Sequence, residues 1–305
     1  MTPAGRGRVL VTGATGFIGA RLVGLLAAAG TDVLPWRRDI GELAACDEPA
    51  AAVVHLAALT RPDQFAGDRE RAYAVNVGGT AAALDYCERT GAGLVLASTC
   101  GVYAPADAAR PLDESAPLGP RSDYASSKLR AETLCRERCR EKGLSCVALR
   151  LFNVYGPGQS GAFVIPQIVA GLLAARPSPL LHPRTVLDFV DVTDAAEAFR
   201  RALAVLGPPG CRVYNIGSGQ GTCLAEVERV ARELVTGSPC AAADAGPEDP
   251  GSACVVADAG KARAELGWTA TVSLRRGLDA VVRSLGRDAA GRNPQRQDFV
   301  GGKAT

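Results

Sequence analysis

The sequence predicts an α/β chain: a doubly wound parallel sheet followed by a smaller C-terminal α/β substrate domain. Three observations carry this expectation. Short, fully apolar runs alternate with longer stretches of helical period. A glycine triplet joins the first run to the first helix. Beyond residue 153 the texture shifts to loops rich in Pro and Gly. Wholly apolar strands alternating with helices imply a parallel sheet covered on both faces. The 305 residues, 47% hydrophobic and 22% charged, suffice for one large or two interlocked domains. A formal net charge of +2 gives no reason to expect nucleic acid or a membrane surface as partner. No apolar segment precedes the first strand, so no signal peptide is expected, and no run reaches the length of a bilayer span. The ten cysteines lack paired metal-ligand spacing. Cys135 and Cys139 lie four apart with no second pair beside them in sequence, which predicts free thiols, a reducing cytoplasmic setting and no metal.

In chain order, "RVLVTG" (8–13) reads as a buried strand and 17–29 as a helix stopped by Gly30. "DVLPW", "AAVVHLAA" and "GLVLAS" read as the next three strands. A helical region fills roughly 65–90, and another, about 122–142, ends at Gly143. "SCVALRLFNV" reads as one further strand. Helices follow near 161–175, 193–206, 222–236 and 273–285. This organises the chain as a dinucleotide-binding domain (1–152 with 185–206) and a substrate domain (153–184 with 207–287). The polar segment 288–305 reads as a disordered tail.

"VTGATGFIG" carries Gly13, Gly16 and Gly19 three apart, after a strand and before a helix. That is the context of a Rossmann-type dinucleotide turn. Gly13 permits the tight turn, Gly16 lets the backbone approach a pyrophosphate, and Gly19 lets the helix pack on the strand. The helix N-terminus then offers free N–H groups and partial positive charge to the anion. At the end of the second strand, where an acid holds the ribose of NAD, "LPWRRDI" places Arg37 and Arg38. An arginine can grip a 2′-phosphate that a carboxylate would repel, which favours NADP over NAD.

"SDYASSK" sets Tyr124 and Lys128 four apart on a helix, hence on one face. Ser98 and Thr99, in "LASTCGVY", end a parallel strand at the carboxyl edge, where open sheets place ligands. A phenol is a poor acid–base group at neutral pH unless a nearby ammonium favours phenolate. With Lys128 beside it, Tyr124 can exchange a proton with a substrate oxygen that Thr99 holds, while hydride moves on a nicotinamide. His55 reads as a structural residue of its strand, His182 as a surface residue, and Cys100 as a pocket neighbour without the marks of a nucleophile.

"TGATGFIG", "VVHLAA", "NVGGT", "STCGVY", "YASSK", "RLFNVYGPG", "LDFVDVTDAAEAF", "YNIGSG" and "KARAELGW" occur together and in order over residues 8 to about 285. This set resembles the extended short-chain dehydrogenases/reductases, the family of nucleotide-sugar epimerases, dehydratases and reductases. The resemblance implies Thr99, Tyr124 and Lys128 as the catalytic set, with Lys128 also on the cofactor ribose. It implies cofactor contacts at Gly13, Gly16, Phe17, Ile18, Gly19, Asp39, Ile40, Leu56, Ala57, Ala58, Asn76 and Leu151. It implies substrate contacts at Ser98, Asn153, Phe163, Val164 and Arg184, and a homodimer formed through the two long helices. The short segment between "PWRRD" and "VVHLAA" leaves little room for the usual extra strand and helix. With "FNVYGPGQ" and "DFVDVTDAAEAF", it resembles the NADPH-dependent reductases of 4-keto-6-deoxysugars.

Two positions depart from that pattern. Leu187 stands where many members of the family it resembles carry an arginine for the substrate diphosphate, with Arg184 three residues earlier, and Glu248 stands near the place of a second such arginine. Three readings follow: an NADP(H)-dependent reductase of an activated keto-deoxysugar; an NAD-dependent nucleotide-sugar epimerase or dehydratase; and a non-catalytic cofactor-sensing module. "STCGVY" lacks the acidic pair that a dehydratase adds beside its threonine.

Overall fold

The computed structural model describes residues 7–105, 110–176, 180, 182–241 and 253–290. Its first half contains strands β1 (Val9–Thr12), β2 (Val33–Trp36), β3 (Ala52–His55), β4 (Gly93–Thr99) and β5 (Ser145–Leu151). Between them run α1 (Phe17–Ala28), the short α2 (Pro62–Gly67) and α3 (Arg69–Tyr73), α4 (Gly79–Thr90) and α5 (Asp123–Lys142). These strands, with Gly210–Ile216, form a six-stranded sheet in the order β2-β1-β3-β4-β5 and then that last strand, every pairing parallel.

Both faces of this sheet are covered, which is why its strands carry no polar alternation. Leu22 and Leu26 of α1 pack on one face with Val9, Val11 and Val54. Leu84 and Tyr86 of α4 and Cys135 of α5 pack on the other with Leu10, Val53 and Leu94. Residues 37–51 hold a 3-10 helix at Ile40–Ala45 and no strand, so β2 is the sheet edge. The short segment between β2 and β3 therefore holds no extra strand.

The second half adds β6 (Asn153–Tyr155), α6 (Val164–Leu173), β7 (Val186–Asp191), α7 (Val192–Ala204) and β8 (Gly210–Ile216). It continues with β9 (Gly221–Cys223), α8 (Leu224–Thr236), β10 (Cys254–Val255), α9 (Gly260–Leu266) and α10 (Leu274–Ala290). A second sheet runs β10-β7-β6 in parallel, with β9 antiparallel on β7. Phe189, Ile168, Val227 and Leu278 form its core with α6, α8 and α10. The buried Asp188 carboxylate binds this sheet to its loops, accepting from Ser218 N (2.7 Å), Ser218 Oγ (2.6 Å), Gly219 N (2.9 Å) and Ala257 N (3.1 Å).

Several elements differ from expectation. "SCVALRLFNV" is two strands, because Phe152 turns the chain from one sheet to the other while its N–H bonds Ile216 O at 2.9 Å. The region 65–90 is broken by a π turn at Ala74–Gly78. Strand β8, from the segment assigned to the substrate domain, caps the first sheet beside β5; β7, from the segment assigned to the cofactor domain, pairs in the second sheet. β8 pairs with the outer side of β5 and is itself the sheet edge there. Helix α10 runs to Ala290, three residues into the expected tail, whose remainder lies outside the described residues.

The cysteines are free thiols, as expected, but four of them cluster. Cys146 and Cys211 are register partners on β5 and β8, and they meet Cys139 and Cys135 from α5. The second pair absent from the linear spacing is supplied by strand register. Thiol–thiol hydrogen bonding first and burial after it push Cys139 up to about 12 and raise Cys146 and Cys211 too, and among the described residues no group of three or more His, Cys, Asp or Glu residues is arranged to hold a metal.

Candidate active site

The carboxyl ends of β1, β3, β4 and β5 define the crevice, and the glycine turn sits at its first strand. Gly13 has φ +66°, and a Cβ there would lie 2.8 Å from Ala57 N. A Cβ on Gly19 would lie 2.0 Å from Gly13 O. Helix α1 starts at Phe17 and Ile18 with Gly16 as its N-cap and no side-chain cap, so its first N–H groups stay available. A dinucleotide pyrophosphate fits this turn on all three counts.

Trp36 ends β2 in register with Thr12. Arg37 and Arg38 follow it, both exposed. The Arg38 guanidinium lies over the Trp36 ring, 4.4 Å from its centroid, and Trp36 Nε1 donates to Asp39 O at 3.0 Å. Asp39 itself caps the 3-10 helix that Ile40 begins, accepting from Gly41 N at 2.8 Å. Leu56 and Ala57 turn back on β1, their N–H groups donating to Thr12 Oγ1 at 3.2 Å each; Ala58 follows. With two N–H groups donated to it, the Thr12 hydroxyl is left to donate a hydrogen bond to His55 Nδ1, 2.8 Å away. The His55 tautomer therefore carries its proton on Nε2, a buried donor with no partner among the described residues. Burial, with Lys128 nearby, pushes His55 down to about 3.

Helix α5 carries Tyr124 in its first turn and Lys128 one turn on. Ser122 caps it, accepting from Ala125 N at 3.2 Å, and Gly143, with φ +67°, ends it. The Tyr124 phenol is in hydrogen-bond contact with Thr99 and stands edge-on to Phe65, with ring centroids 6.2 Å apart. Lys128 is buried, and burial lowers its ammonium to about 8. The expected lowering of the Tyr124 phenol is not present. Burial pushes the phenol up, Cys100 adds to this, and only the Thr99 hydroxyl opposes it. Cys100 is pushed up to about 12, by burial first and then by Asp188, so it is no thiolate nucleophile.

Of the two strand-end hydroxyls, only Thr99 meets Tyr124. Ser98 is 2% exposed and donates to Glu132 Oε1 at 2.6 Å. Successive residues of a strand face opposite ways, so both hydroxyls could not enter one crevice. The Asn76 side chain is likewise engaged: it accepts from Leu59 N (2.8 Å) and donates to Leu59 O and Ser127 Oγ, each at 2.9 Å. It joins the loop after β3 to α5 beneath the crevice. Leu151 is buried at the end of β5, in register with Thr99. Asn153 Nδ2 donates to Asp188 O at 3.1 Å. Phe163 is the N-cap residue of α6, 36% exposed, and Val164 begins the helix. Arg184 lies half-buried in the turn before β7, and Leu187 packs into the second core. Glu248 lies outside the described residues.

A cleft of about 620 Å³ opens beside the glycine turn, with Gly16, Phe17, Arg21, Pro157, Thr193 and Arg276 on its walls. Thr99, Tyr124 and Lys128 are not among its lining residues. Sequence reasoning missed Glu132 and Arg150, which are buried together behind Thr99. The signals were present: Glu132 continues the Tyr124–Lys128 face, and Arg150 interrupts an apolar strand, which demands a partner.

Residues 9–217 match the model of the NAD dependent epimerase/dehydratase family. The chain is 36% identical over 248 residues to GDP-6-deoxy-D-mannose reductase of Pseudomonas aeruginosa, covering 75% of this chain and 78% of that one. It is 32% identical to UDP-glucose 4-epimerase of Azospirillum brasilense, covering 91% of this chain and 90% of that one. The structure of RMD from Pseudomonas aeruginosa complexed with NADPH superposes with a TM-score of 0.79 at 29% identity, over 91% of this chain and 98% of that one.

Proposed function

The chain belongs to the NAD dependent epimerase/dehydratase family, and on that premise we propose that it is an NADP(H)-dependent reductase of a keto group on a nucleotide-linked deoxysugar. The observation that carries the chemistry is the Thr99–Tyr124 contact at the carboxyl edge of β4, with Lys128 one turn along α5. Arg37 and Arg38 at the free end of β2 support NADP, as does the likeness to RMD, whose structure holds NADPH. The likeness to a GDP-6-deoxy-D-mannose reductase supports the sugar class.

In this reading the Gly13–Gly19 turn and the α1 N-terminus hold the pyrophosphate. Arg37 and Arg38 hold the 2′-phosphate, and Asp39 and Ile40 flank the adenine. Leu56, Ala57, Ala58 and Leu151 line the cofactor path, and Asn76 holds the floor beneath it. Asn153, Phe163, Val164 and Arg184 face the sugar nucleotide. A bound nicotinamide supplies the hydride. Thr99 holds the substrate oxygen, and Tyr124 delivers a proton to it as charge develops there. The Lys128 ammonium offsets the phenolate that remains, a task suited to a group lowered only to about 8 and so still charged near neutrality. Bulk solvent then returns the proton. The same reading includes a cytoplasmic homodimer paired through α4 and α5.

Epimerisation is the second reading, favoured by the UDP-glucose 4-epimerase that matches over 91% of the chain. Dehydration is disfavoured because Cys100 and Gly101, not acids, follow Thr99. Mass spectrometry of the protein as purified separates the readings. Empty protein that takes up NADPH supports the reductase; tightly retained NAD supports the epimerase.

A further inference from the structure

Glu132 lies two turns beyond Tyr124 and one beyond Lys128, on the same face of α5. Its carboxylate has no exposed surface. Oε1 accepts from Ser98 Oγ at 2.6 Å and from Arg150 Nε at 3.0 Å. Oε2 accepts from Arg150 Nη2 at 2.8 Å and from Arg136 Nη2 at 2.6 Å. Arg150 is only 2% exposed, and its guanidinium lies over the Tyr103 ring, 4.7 Å from its centroid. Arg150 Nη1 also donates to Glu114 O at 3.3 Å. Ser98 and Arg150 are register partners on β4 and β5, and the next registered pair is Thr99 with Leu151. One carboxylate from the helix of Tyr124 therefore clasps two strands, one position before Thr99.

Such a clasp is a poor device for stability alone. Desolvating two charges offsets most of their attraction, and an apolar pair of similar size commonly serves a fold as well. What the bidentate fork adds is fixed direction and distance. The Thr99–Tyr124 contact depends on how high α5 sits over β4, and an error of about 1 Å at a reacting group can cost about a hundredfold in rate.

We infer that Glu132 is a positioning residue: through Ser98 and Arg150 it sets α5 against β4 and so fixes the Tyr124 phenol at the Thr99 hydroxyl. This rests on Tyr124 and Thr99 as the proton-handling pair of the reaction proposed above. Three variants test it. Glu132→Leu with Arg150→Met removes both buried charges and the Ser98 partner together. Glu132→Gln with Arg150→Met removes the charges and keeps an acceptor for Ser98. Ser98→Ala leaves the ion pair intact.

The Leu/Met protein is expected to melt close to the parent, yet to lose at least about tenfold in kcat with KM for the sugar nucleotide little changed. The Gln/Met protein, which keeps the Ser98 acceptor but not the fork, should recover only part of that loss, and Ser98→Ala should lose several-fold alone. A folded Leu/Met protein with parental kcat overturns the inference. If that variant fails to fold, unchanged kcat in Ser98→Ala overturns it instead. If the parent transfers no hydride to any sugar tested, the functional reading fails separately. Ultraviolet difference titration of the tyrosines, parent against Tyr124→Phe, then reads Tyr124 without turnover. Its ionisation should shift in Ser98→Ala, and an unmoved titration overturns the positioning role.

Discussion

Replacing Gly19 and Gly24 by alanine, each alone, should move the protein in opposite directions. Both glycines lie on α1, and propensity alone makes each substitution favourable by up to about 1 kcal/mol. At Gly24 the new methyl meets nothing within 4 Å, so that gain should appear as a rise of about 2 °C in Tm. At Gly19 the methyl would stand 2.0 Å from Gly13 O, 2.8 Å from Gly13 C and 2.9 Å from Ala14 Cα, all backbone. Ordinary contact begins at 3.4 Å, so the turn must open by more than an ångström. Gly13 cannot yield freely, since its own φ of +66° is fixed against Leu56 and Ala57. Overpacking of this kind costs about 1–3 kcal/mol. It also displaces the N–H groups proposed for the pyrophosphate, and a loss of 1.4 kcal/mol there is about tenfold in affinity. Urea unfolding and fluorescence titration with NADPH read the two effects. A Gly19→Ala protein as stable as Gly24→Ala and binding NADPH like the parent would refute the close packing of turn and helix.

Arg37→Asp should weaken NADPH by about tenfold or more, an exposed charge-assisted contact being discounted from its buried worth, and leave NADH unchanged or better. Arg38→Ala should act less, in the same direction; paired cofactor titrations decide, and equal losses for both cofactors contradict the assignment. Tyr124→Phe should keep NADPH binding and cut single-turnover hydride transfer by about 10² or more; a rate within a few-fold of the parent removes Tyr124 from the mechanism. His55, held neutral down to about pH 3, makes the unfolded chain bind one more proton between there and its usual value of 6.5. Stability should therefore rise with pH across that window, by about 1.4 kcal/mol per unit from this group. His55→Gln should lose that share of the slope, and an identical slope in urea titrations refutes the neutral burial.

The cofactor half of the fold was legible because its signals are local. The glycine spacing, the apolar strands and the Gly143 stop each act within a few residues, and each lies where the pattern put it. The Tyr124–Lys128 face was legible for the same reason, since helical spacing fixes it. What stayed hidden depends on register between distant segments. Whether Ser98 or Thr99 enters the crevice is decided by the phase of β4, and Ser98 is claimed by Glu132. Asn76 reads as a cofactor ligand in its motif, yet its amide is consumed by Leu59 and Ser127. The meeting of Cys135 and Cys139 with Cys146 and Cys211 needs the β5–β8 pairing, which no linear spacing encodes. Phe152 lies between Leu151 and Asn153 with no glycine or proline beside it, so nothing local marks the change of sheet there.

The central claim is reduction of a keto-deoxysugar by NADPH, and turnover tests it most directly. Purified protein would be mixed with NADPH and nucleotide-linked 4-keto-6-deoxysugars, GDP-linked first, following absorbance of the reduced cofactor and the sugar product by mass spectrometry. The account predicts one NADPH consumed per reduced sugar formed, with NADH markedly slower. No consumption of NADPH with any of these sugars, together with interconversion of UDP-glucose and its 4-epimer by protein that retains NAD, would contradict it.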